Sequence, residues 1–528
     1  MSHEDKLSVQ PSTAKSSVPL GLVAVFITYF GAIYFFRGIG VALPKTAADL
    51  DGMPLFSWAI SLPALAAAFT TLMFGKLSDV YGRRIFLLIS LALYMAGAVL
   101  SAISRDFIFY IAARMILALG QGALASLCFA TIGDLYDPVK RSRWSGLLQI
   151  PAGIASIIGP TMVGMITDSL SWRYFFGITV LLAAISAILV VGGVTSPVQR
   201  ASHKIDFPGA FLLAAALTVM IVAFSWAGTT YSWGSYQVIG LLAISIILWI
   251  ILVGVERKAK EPILDPQVMT NRTFLTAAVA GLLSYFGFLA INLYYPLFLQ
   301  GVQGTTASES GQIITPFGIL MAFMGVPTGF LIARTKRYKW LLIAGYTIIT
   351  GATFTMVSFE VNTPVWLGVL VTTLAGFGLG AVPTINTLVS QFAVPKKLLG
   401  VAVGAIFAFV FMGGAIAPAI LGSAMNQVYA KSLQNSLPIE LNLIVGAEAL
   451  ESLADPRVLL SQDAMRSLKE TCSRASDRGS AIYHETVEAI RSALETSLKM
   501  VFLISALTTF ASWLLILTIP EVPIETEK

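Results

Sequence analysis

The chain has 528 residues, of which 56% are hydrophobic and only 12% are charged. Soluble domains carry about 25% charged residues, so this composition, with a mean hydropathy of +0.80, excludes a set of soluble domains and indicates an integral membrane protein. The net charge of +6 does not indicate a nucleic-acid-binding protein, because the basic residues do not cluster in one patch or stripe.

The apolar residues are gathered in long runs, and a helix that crosses a bilayer needs about 20 such residues in succession. Fourteen runs of this kind follow one another, which predicts an all-α polytopic membrane protein with fourteen transmembrane helices. The expected spans lie near 20–44, 55–75, 85–103, 107–131, 144–167, 173–195, 209–228, 236–255, 273–299, 311–333, 339–358, 364–390, 398–425 and 499–520.

The loops between the expected spans differ in their basic residues, and Lys and Arg favour the cytoplasmic side of a membrane. With the N-terminus inside, the cytoplasmic loops hold most of the basic residues, whereas the short outer loops hold only Lys45, Arg105 and Arg173. We therefore expect a multi-pass protein of the cell (plasma or inner) membrane, surrounded by lipid bilayer, with both termini in the cytoplasm.

The spans form two sets of six that share landmarks at a nearly constant offset. Because membrane carriers are often built from duplicated bundles, this recurrence predicts two six-helix bundles with two helices inserted between them. The recurring pairs are Pro44 and Pro296, Gly75 and Gly329, Arg83 and Arg337, and Pro160 and Pro418. The expected organisation is a cytoplasmic tail (1–19), an N-terminal bundle (20–195), a linker with the two extra helices (196–272), a C-terminal bundle (273–520) containing an outer loop (427–498), and a cytoplasmic tail (521–528).

The loop from Gly75 to Arg84 reads Gly-Lys-Leu-Ser-Asp-Val-Tyr-Gly-Arg-Arg and resembles the signature loop between helices 2 and 3 of the major facilitator superfamily. The resemblance implies the major-facilitator fold and a charge-linked latch that holds one access state. Its gating residues would be Gly75, Asp79, Gly82, Arg83 and Arg84. Asp79 is suited to pair with the nearby basic residues or to cap a helix N-terminus. The alternative is that the arginines serve only to orient the chain in the membrane.

Helix 5 resembles the antiporter motif of the drug-efflux members through Gly153, Gly159, Pro160 and Gly164. The segments 171–176 and 295–300 are similar to the fourteen-helix drug:proton antiporter branch, which implies protons as the coupling ion. Glycines let two helices approach closely and proline bends a helix, so the resemblance implies a hinge between the bundles. The alternative is ordinary packing of small residues.

Two arginines lie inside predicted spans, Arg37 in helix 1 and Arg114 in helix 4. A charge there is unfavourable by about 2.5–3.5 kcal/mol even on the lenient insertion scale, so such residues usually face a polar interior. Gln121 shares the helical face of Arg114, and Tyr34 lies about one turn before Arg37. We regard these four residues as candidates for a substrate cavity. The alternative is that the arginines snorkel toward the membrane surface.

Helix 9 occupies the position of helix 1 in the second bundle and adds polar aromatic residues. Tyr285 and Asn292 are further cavity candidates, because a tyrosine offers a broad apolar face and one hydrogen bond. Tyr294 and Tyr295 fit an aromatic belt at the membrane surface better.

No acidic residue is expected in the middle of the membrane, because all of them lie in loops, tails or span ends. Proton-coupled antiporters need a buried carboxylate whose pKa alternates between access states. The related branch usually has an aspartate in helix 1, and that position is Phe35 here. Asp134, at the end of helix 4, is the nearest candidate for a proton site, or else a loop residue. Two arginines without a carboxylate favour a neutral or anionic amphiphile over a cation.

The long outer loop, 427–498, has the composition of amphipathic helices. From Ser473 to Ser497 apolar residues recur at helical spacing, namely Ile482, Val487, Ile490 and Leu494. The loop is either a cap over the exit or a solvated excursion without a role in transport.

The leading hypothesis is a secondary active transporter that exports amphipathic organic compounds of the multidrug type by alternating access. Alternatives are a carrier of metabolites, siderophore-like compounds, lipids or anionic amphiphiles, and a non-transporting sensor on the same fold. An enzyme is not expected, because the three histidines (His3, His203 and His484) lie outside the spans, and no metal-ligand, nucleophile–base or P-loop spacing appears. We expect no cofactor, no metal, no nucleic-acid partner and a monomeric protein.

Overall fold

The computed structural model describes residues 18–52, 55–194, 207–228, 231–259, 262, 265–438, 441, 453, 459, 462–475 and 479–521. The predicted tails, 1–19 and 521–528, lie almost wholly outside the described residues, as does the first part of the linker, up to residue 206. Within the described ranges the regular structure is helical, apart from one isolated bridge between Ala227 and Tyr231.

The transmembrane helices agree with the predicted spans. Thirteen helical stretches of the described ranges are long and apolar enough to cross a membrane, and a further helix has a shorter apolar part at 211–224. The prediction of an all-α polytopic membrane protein is therefore confirmed. The N-terminal bundle comprises α1 (Val18–Asp49), α2 (Phe56–Tyr81), α3 (Arg83–Ala102), α4 (Phe107–Leu135), α5 (Pro138–Leu147), α6 (Gln149–Ser169) and α7 (Trp172–Gly193).

The inserted helices and the C-terminal bundle follow. The inserted pair is α8 (Phe207–Trp226) and α9 (Tyr236–Glu256), and a short helix, α10 (Pro266–Met269), precedes the second bundle. The C-terminal bundle comprises α11 (Arg272–Leu289), α12 (Tyr295–Gly301), α13 (Ala307–Phe323), α14 (Gly325–Thr335), α15 (Lys339–Val357), α16 (Val365–Phe392), α17 (Leu399–Ser436), α18 (Gln462–Ala475) and α19 (Gly479–Leu517).

Successive spans run in opposite directions, so each connection lies on one of two membrane sides. The turn between α2 and α3 and the start of α17 share one side, which we call the Arg83 side. The end of α1 and the start of α2 share the other, which we call the Lys45 side.

The core of the N-terminal bundle is aromatic on one helix face and built from small residues where helices cross. Phe35 of α1 lies 5.1 Å from the ring of Phe175 and 5.8 Å from that of Tyr94, measured between ring centroids. On α4, a Cβ added at Gly120 would lie 2.3 Å from the carbonyl oxygen of Ser90, so only glycine allows α3 and α4 to pack this closely. Backbone contact of this kind replaces the hydrophobic effect as the source of helix association in lipid.

The core of the C-terminal bundle contains hydrogen bonds between helices. The hydroxyls of Thr353 on α15 and Thr509 on α19 lie 2.9 Å apart, and the amide of Asn386 on α16 donates to the Tyr346 hydroxyl at 3.3 Å. Such bonds stabilise a bundle in lipid by about 0.6 kcal/mol each on average.

Three spans are interrupted within the membrane. Leu148 separates α5 from α6, Met324 separates α13 from α14, and a π-helical turn over Ala290–Tyr294 separates α11 from α12. Pro296 has no N–H to donate to the carbonyl four residues earlier, and the N–H of Tyr295 reaches back five residues to Ala290 instead. The sequence did not indicate these interruptions.

The inserted helix α8 lies in the groove between α2 and α17 and therefore contacts both bundles. Leu213 and Leu217 of α8 are completely buried in the same apolar cluster as Ala68 and Leu72 of α2. The second inserted helix, α9, packs on α8.

Aromatic contacts fix the end of α8 on the Lys45 side. The ring of Trp226 meets that of Trp58 in the first turn of α2 edge to face, with 6.3 Å between the ring centroids. Trp233, in the connection to α9, donates its indole N–H to the Ser423 hydroxyl of α17 at 2.6 Å. The connection between α8 and α9 is thus attached to both bundles.

Helices that begin in the flanking spans extend into the predicted outer loop, 427–498. Helix α17 continues to Ser436 and α19 begins at Gly479, while α18 covers 462–475. The predicted helical pattern from Ser473 to Ser497 divides between α18 and α19. Outside the described residues lie 439–440, 442–452, 454–458, 460–461 and 476–478. Leu494 packs over Gly301 at the end of α12, so the amphipathic face of α19 covers the C-terminal bundle.

Candidate functional site

The loop between α2 and α3 depends on two glycines. Gly82 has a φ of 99°, a conformation that side chains with a Cβ rarely adopt. A Cβ at Gly75 would lie 2.5 Å from the carbonyl oxygen of Gly400, so α2 and α17 touch through their backbones at this point. The contact brings the loop of the N-terminal bundle against the start of a helix of the C-terminal bundle.

The carboxylate of Asp79 binds the N-terminus of α17. Its Oδ1 accepts from the N–H of Gly400 and its Oδ2 from the N–H of Val401, each at 2.9 Å. The first N–H groups of a helix have no partner within the helix and carry the positive end of its dipole. Asp79 therefore satisfies two of these donors across the boundary between the bundles.

Arg83 holds Asp79 in place and joins a second carboxylate to it. Its guanidinium contacts Asp79 and the Ser78 hydroxyl, and its Nε donates to Oδ2 of Asp134 at 2.7 Å. Arg83 and Asp79 are buried, and the side chain of Asp134 in the last turn of α4 is 40% exposed. Arg84, the neighbouring gating candidate, is half-buried. The charges thus form one cluster that links α2, α3, α4 and α17.

A second backbone contact closes the same side of the molecule between α5 and α14. A Cβ at Gly146 would lie 2.7 Å from the carbonyl oxygen of Gly325, and one at Gly329 would lie 2.3 Å from that of Ser142. The helix breaks at 148 and 324 lie beside this contact.

Two glutamines add hydrogen bonds between the bundles, and sequence reasoning missed both. Gln149 donates to the Thr384 hydroxyl at 3.3 Å, and Gln391 donates to the carbonyl of Phe129 at 3.3 Å. The only sequence signal was a single amide within an apolar run in each case. Together with Asp79, they place polar contacts between the bundles on the Arg83 side.

The glycines of the predicted hinge face different partners. A Cβ at Gly153 would lie 3.0 Å from the ring of Phe323 in the opposite bundle. Gly159 faces the carbonyl of Tyr34, and Gly164 faces Val41, both of α1. Pro160 lies inside α6 between these contacts. A role as a hinge stays a prediction.

Arg37 lies between the bundles. Its guanidinium carbon is 6.0 Å from the ring centroid of Phe288 on α11, and it interacts electrostatically with the hydroxyls of Tyr285 and Tyr29. Its Nε has no hydrogen-bond partner, and the described residues include no carboxylate paired with it. A Cβ added at Gly159 of α6 would lie 3.6 Å from the Cβ of Arg37, so α6 packs beside this residue.

Arg114 lies inside the N-terminal bundle, on the other side of α1. Its guanidinium carbon is 5.3 Å from the ring centroid of Phe35, and its Nε and Nη1 have no partner in the described part of the chain. Positions 35 and 37 point about 200° apart on a helix, so the two arginines do not share a site. Gln121, on the same face of α4, donates to the carbonyl of Ala32 at 3.0 Å.

The remaining cavity candidates are spread over both bundles. Tyr34 is 1% exposed and packs against Phe175 within the N-terminal bundle. Tyr285 is half-buried with its ring over Gly414 of α17, and Asn292 lies exposed in the π-helical turn. Of the six candidates, Arg37 and Tyr285 are therefore brought together across the bundle boundary.

The described residues contain no group of three or more His, Cys, Asp or Glu side chains that could hold a metal ion. Between the bundles the described residues place one cation, two tyrosine hydroxyls and aromatic rings, which are suited to reversible binding.

Comparison with known families decides what this arrangement belongs to. Residues 25–418 match the family model described as Major Facilitator Superfamily. The chain belongs to this superfamily. As a member of the Major Facilitator Superfamily it is a multi-pass membrane transporter of small molecules, which agrees with the resemblance seen in the loop from Gly75 to Arg84.

Several curated members of the superfamily are similar in sequence. The chain is 31% identical over 388 residues to the multidrug transporter protein MdtP of Bacillus subtilis (strain 168), covering 74% of this chain and 72% of that protein. It is 28% identical over 419 residues to multidrug resistance protein 3 of the same strain, covering 79% and 81%. It is 25% identical over 441 residues to the efflux pump FUS6 of Gibberella moniliformis, covering 80% and 77%.

Two solved superfamily structures share the fold. The human organic anion transporter MFSD10 superposes with a TM-score of 0.57 at 16% identity, covering 95% of this chain and 100% of that one. The proton:xylose symporter XylE superposes with a TM-score of 0.58 at 12% identity, covering 96% and 97%. At these identities the likeness shows the fold alone.

Proposed function

We propose that this protein exports amphipathic organic compounds by secondary active transport with alternating access. Membership of the Major Facilitator Superfamily supports the transport mechanism. The relatives named as multidrug transporters and as an efflux pump support outward movement and a tolerant binding site. One chain supplies both bundles, so a monomer is sufficient.

The observation that carries this proposal is the closure of one side by contacts between bundles. Asp79, Gln149 and Gln391 each bond to the opposite bundle on the Arg83 side. Arg37 lies beside Gly159, ten residues further along α6 than Gln149, and is therefore about 15 Å nearer the Lys45 side. The Arg83 side carries most of the basic loops and is assigned to the cytoplasm by the positive-inside rule. This conformation is thus closed toward the cytoplasm.

Opening toward the cytoplasm requires Asp79 to leave the N-terminus of α17. The carboxylate keeps its partner Arg83 within its own bundle, so the charge is never isolated while the bundles separate. Such a latch makes the closed state favourable but reversible, because a cap with a charge–dipole contribution contributes about 0.5–2 kcal/mol.

Proton coupling is the expected energy source, and Asp134 is its candidate site. Its carboxylate bonds to Arg83, so a proton on Asp134 would weaken the charge cluster that holds the latch. A proton role for Asp134 stays a prediction.

Transport is tested in inside-out membrane vesicles with an imposed pH gradient. The probes are three dansyl amphiphiles of similar size: dansyl-aminocaproic acid (anionic), its carboxamide (neutral) and dansylcadaverine (cationic). We expect the wild type to accumulate at least one probe when the gradient is present and not when an uncoupler abolishes it. Accumulation of none of them would contradict the proposal and favour a sensor.

The latch is tested in the same vesicles with Asp79→Asn. We expect transport to fall several-fold, because an amide binds the α17 N-terminus without the charge and loses about 0.5–2 kcal/mol of the closed state. Asp137→Asn is the matched control, since Asp137 is an exposed acidic residue on the same side without a capping bond. Equal rates in the two variants would show that Asp79 is not a latch.

A further inference from the structure

Arg37 is a charge without a counter-charge at the boundary between the bundles. The described membrane-spanning part of the chain places no carboxylate against it, and its Nε has no hydrogen-bond partner. Arginine stays protonated in proteins, so the site keeps its positive charge throughout the transport cycle. A fixed cation that is half-buried in a membrane is stabilised by an anion that binds beside it.

The groups around Arg37 are suited to hold an amphiphile rather than a small inorganic ion. Phe288 lies 6.0 Å from the guanidinium carbon on the side of the opposite bundle, and Phe36 lies at the same distance on its own helix. The hydroxyls of Tyr285 and Tyr29 are close enough to interact electrostatically with the Arg37 guanidinium. A planar guanidinium pairs with a carboxylate through two parallel hydrogen bonds, while the rings contact an apolar body.

Arg37 also has the position that a transport site needs. It extends from α1 toward α11, which occupies the equivalent place in the second bundle, so a ligand bound there touches both moving parts. Arg114 does not meet this condition, because the residue is 7% exposed and its guanidinium packs on Phe35 inside one bundle.

We propose that the substrate is an amphipathic organic anion, whose acid group binds Arg37 and whose apolar part packs against Phe288 and Tyr285. This inference rests on the proposed export function and adds to it the charge class of the substrate and the residue that selects it. A cationic amphiphile is disfavoured, because no acidic side chain of the described spans would balance it and Arg37 would repel it.

Binding is measured by dansyl fluorescence with the purified full-length protein in nanodiscs. We expect the wild type to bind dansyl-aminocaproic acid roughly ten-fold more tightly than its carboxamide, because a hydrogen-bonded charge pair is stronger than a neutral one. Arg37→Gln should remove this preference by lowering the affinity for the acid to about that for the carboxamide, and the remaining carboxamide binding shows that the variant is folded. Arg37→Lys should retain part of the preference, because it keeps the charge without the planar guanidinium.

Arg105→Gln is the matched control, since it removes one positive charge from an exposed position on the Lys45 side and should leave all affinities unchanged. An undiminished preference for the acid in Arg37→Gln would overturn the inference, as would tighter binding of dansylcadaverine than of the acid by the wild type.

Vesicle transport separates the two proposals. If the carboxamide or dansylcadaverine accumulates and the acid does not, the substrate inference is wrong and export stands. If none of the three accumulates, the export function itself is wrong.

Discussion

Arginines occupy three different environments in this protein. Arg83 is buried between two carboxylates, Arg37 faces the boundary between the bundles, and Arg114 lies on Phe35 with two nitrogen atoms unpartnered. A buried ion pair broken by loss of one partner is destabilising by about 3–5 kcal/mol, whereas a cation on an aromatic ring contributes only about 0.5–2 kcal/mol. The same residue type is therefore structural at one site and available for another role at the others.

Thermal unfolding in detergent should distinguish Arg83 from Arg114. We expect Arg83→Met to lower the Tm markedly, because it leaves the buried Asp79 carboxylate without its cation. Arg114→Met should leave the Tm unchanged or raise it, since methionine fills a similar volume beside Phe35 and needs no hydrogen bonds. An equal loss of Tm in the two variants would contradict this distinction.

At the residue scale, the sequence showed which residues are unusual more readily than which way their side chains face. Arg37 and Arg114 were recognisable because charges are rare within apolar runs. The bundle that each one faces depends on how α1 is rotated between α4 and α11, and the periodicity of one helix does not determine that rotation. Gln149 and Gln391 were missed for a related reason. The role of a single amide in an apolar run can be recognised only when its hydrogen-bond partner on the opposite bundle is known.

At the scale of helices, closure depends on pairs that touch through their backbones. Helix α2 meets α17 at Gly75, Gly400 and Gly404, and α5 meets α14 at Gly146 and Gly329. Glycine leaves these surfaces flat enough for carbonyl oxygens and α-carbons of the two bundles to touch. The closed state is therefore sensitive to a single added methyl group.

Gly75→Ala should separate α2 from α17 on the Arg83 side. Its Cβ would lie 2.5 Å from the Gly400 carbonyl oxygen, and overpacking of this kind costs about 1–3 kcal/mol. Distances between spin labels at the exposed positions 137 and 334 should show a longer component in this variant.

The matched control is Gly351→Ala on α15, where an added Cβ would meet no atom within 4 Å. The label distances in this variant should equal those of the unsubstituted protein. A longer component in both variants, or in neither, would show that the Gly75 contact does not set the closed state.

The helices themselves were predictable and their interruptions were not. Bilayer thickness fixes the length of an apolar run, so thirteen of the fourteen predicted spans coincide with helices of the described ranges that are long and apolar enough to cross a membrane, and the remaining one coincides with a helix whose apolar part is shorter. The breaks at 148 and 324 lie where α5–α6 and α13–α14 meet across the bundles, and their positions follow from that contact rather than from local composition. The extension of α17 and α19 beyond the membrane was missed because polar residues end an apolar run without ending a helix.

At the scale of the whole molecule, orientation in the membrane is the most direct test. A cysteine at the exposed position 105 should react with a membrane-impermeant maleimide from outside intact cells, and one at position 140 only after lysis, as the basic loops predict. The reverse pattern would overturn the assignment of the Arg83 side to the cytoplasm.

The natural cysteines should contribute little background to this labelling. Cys128 and Cys472 are completely buried, and burial raises the pKa of the Cys472 thiol, so little reactive thiolate forms at neutral pH. The unsubstituted protein is the control, and its labelling should increase only on unfolding or at high pH.

Helix α8 makes the two flanks of the molecule differ in how far the boundary between the bundles is exposed to lipid. On one flank it fills the groove between α2 and α17 and buries Leu213 and Leu217 there. On the opposite flank, Met165 of α6 and Ile319 of α13 remain exposed. Acyl chains therefore have access to the boundary between the bundles from the α6–α13 flank alone. A solute that diffuses sideways within the bilayer can approach the boundary from that flank and is blocked by α8 on the other.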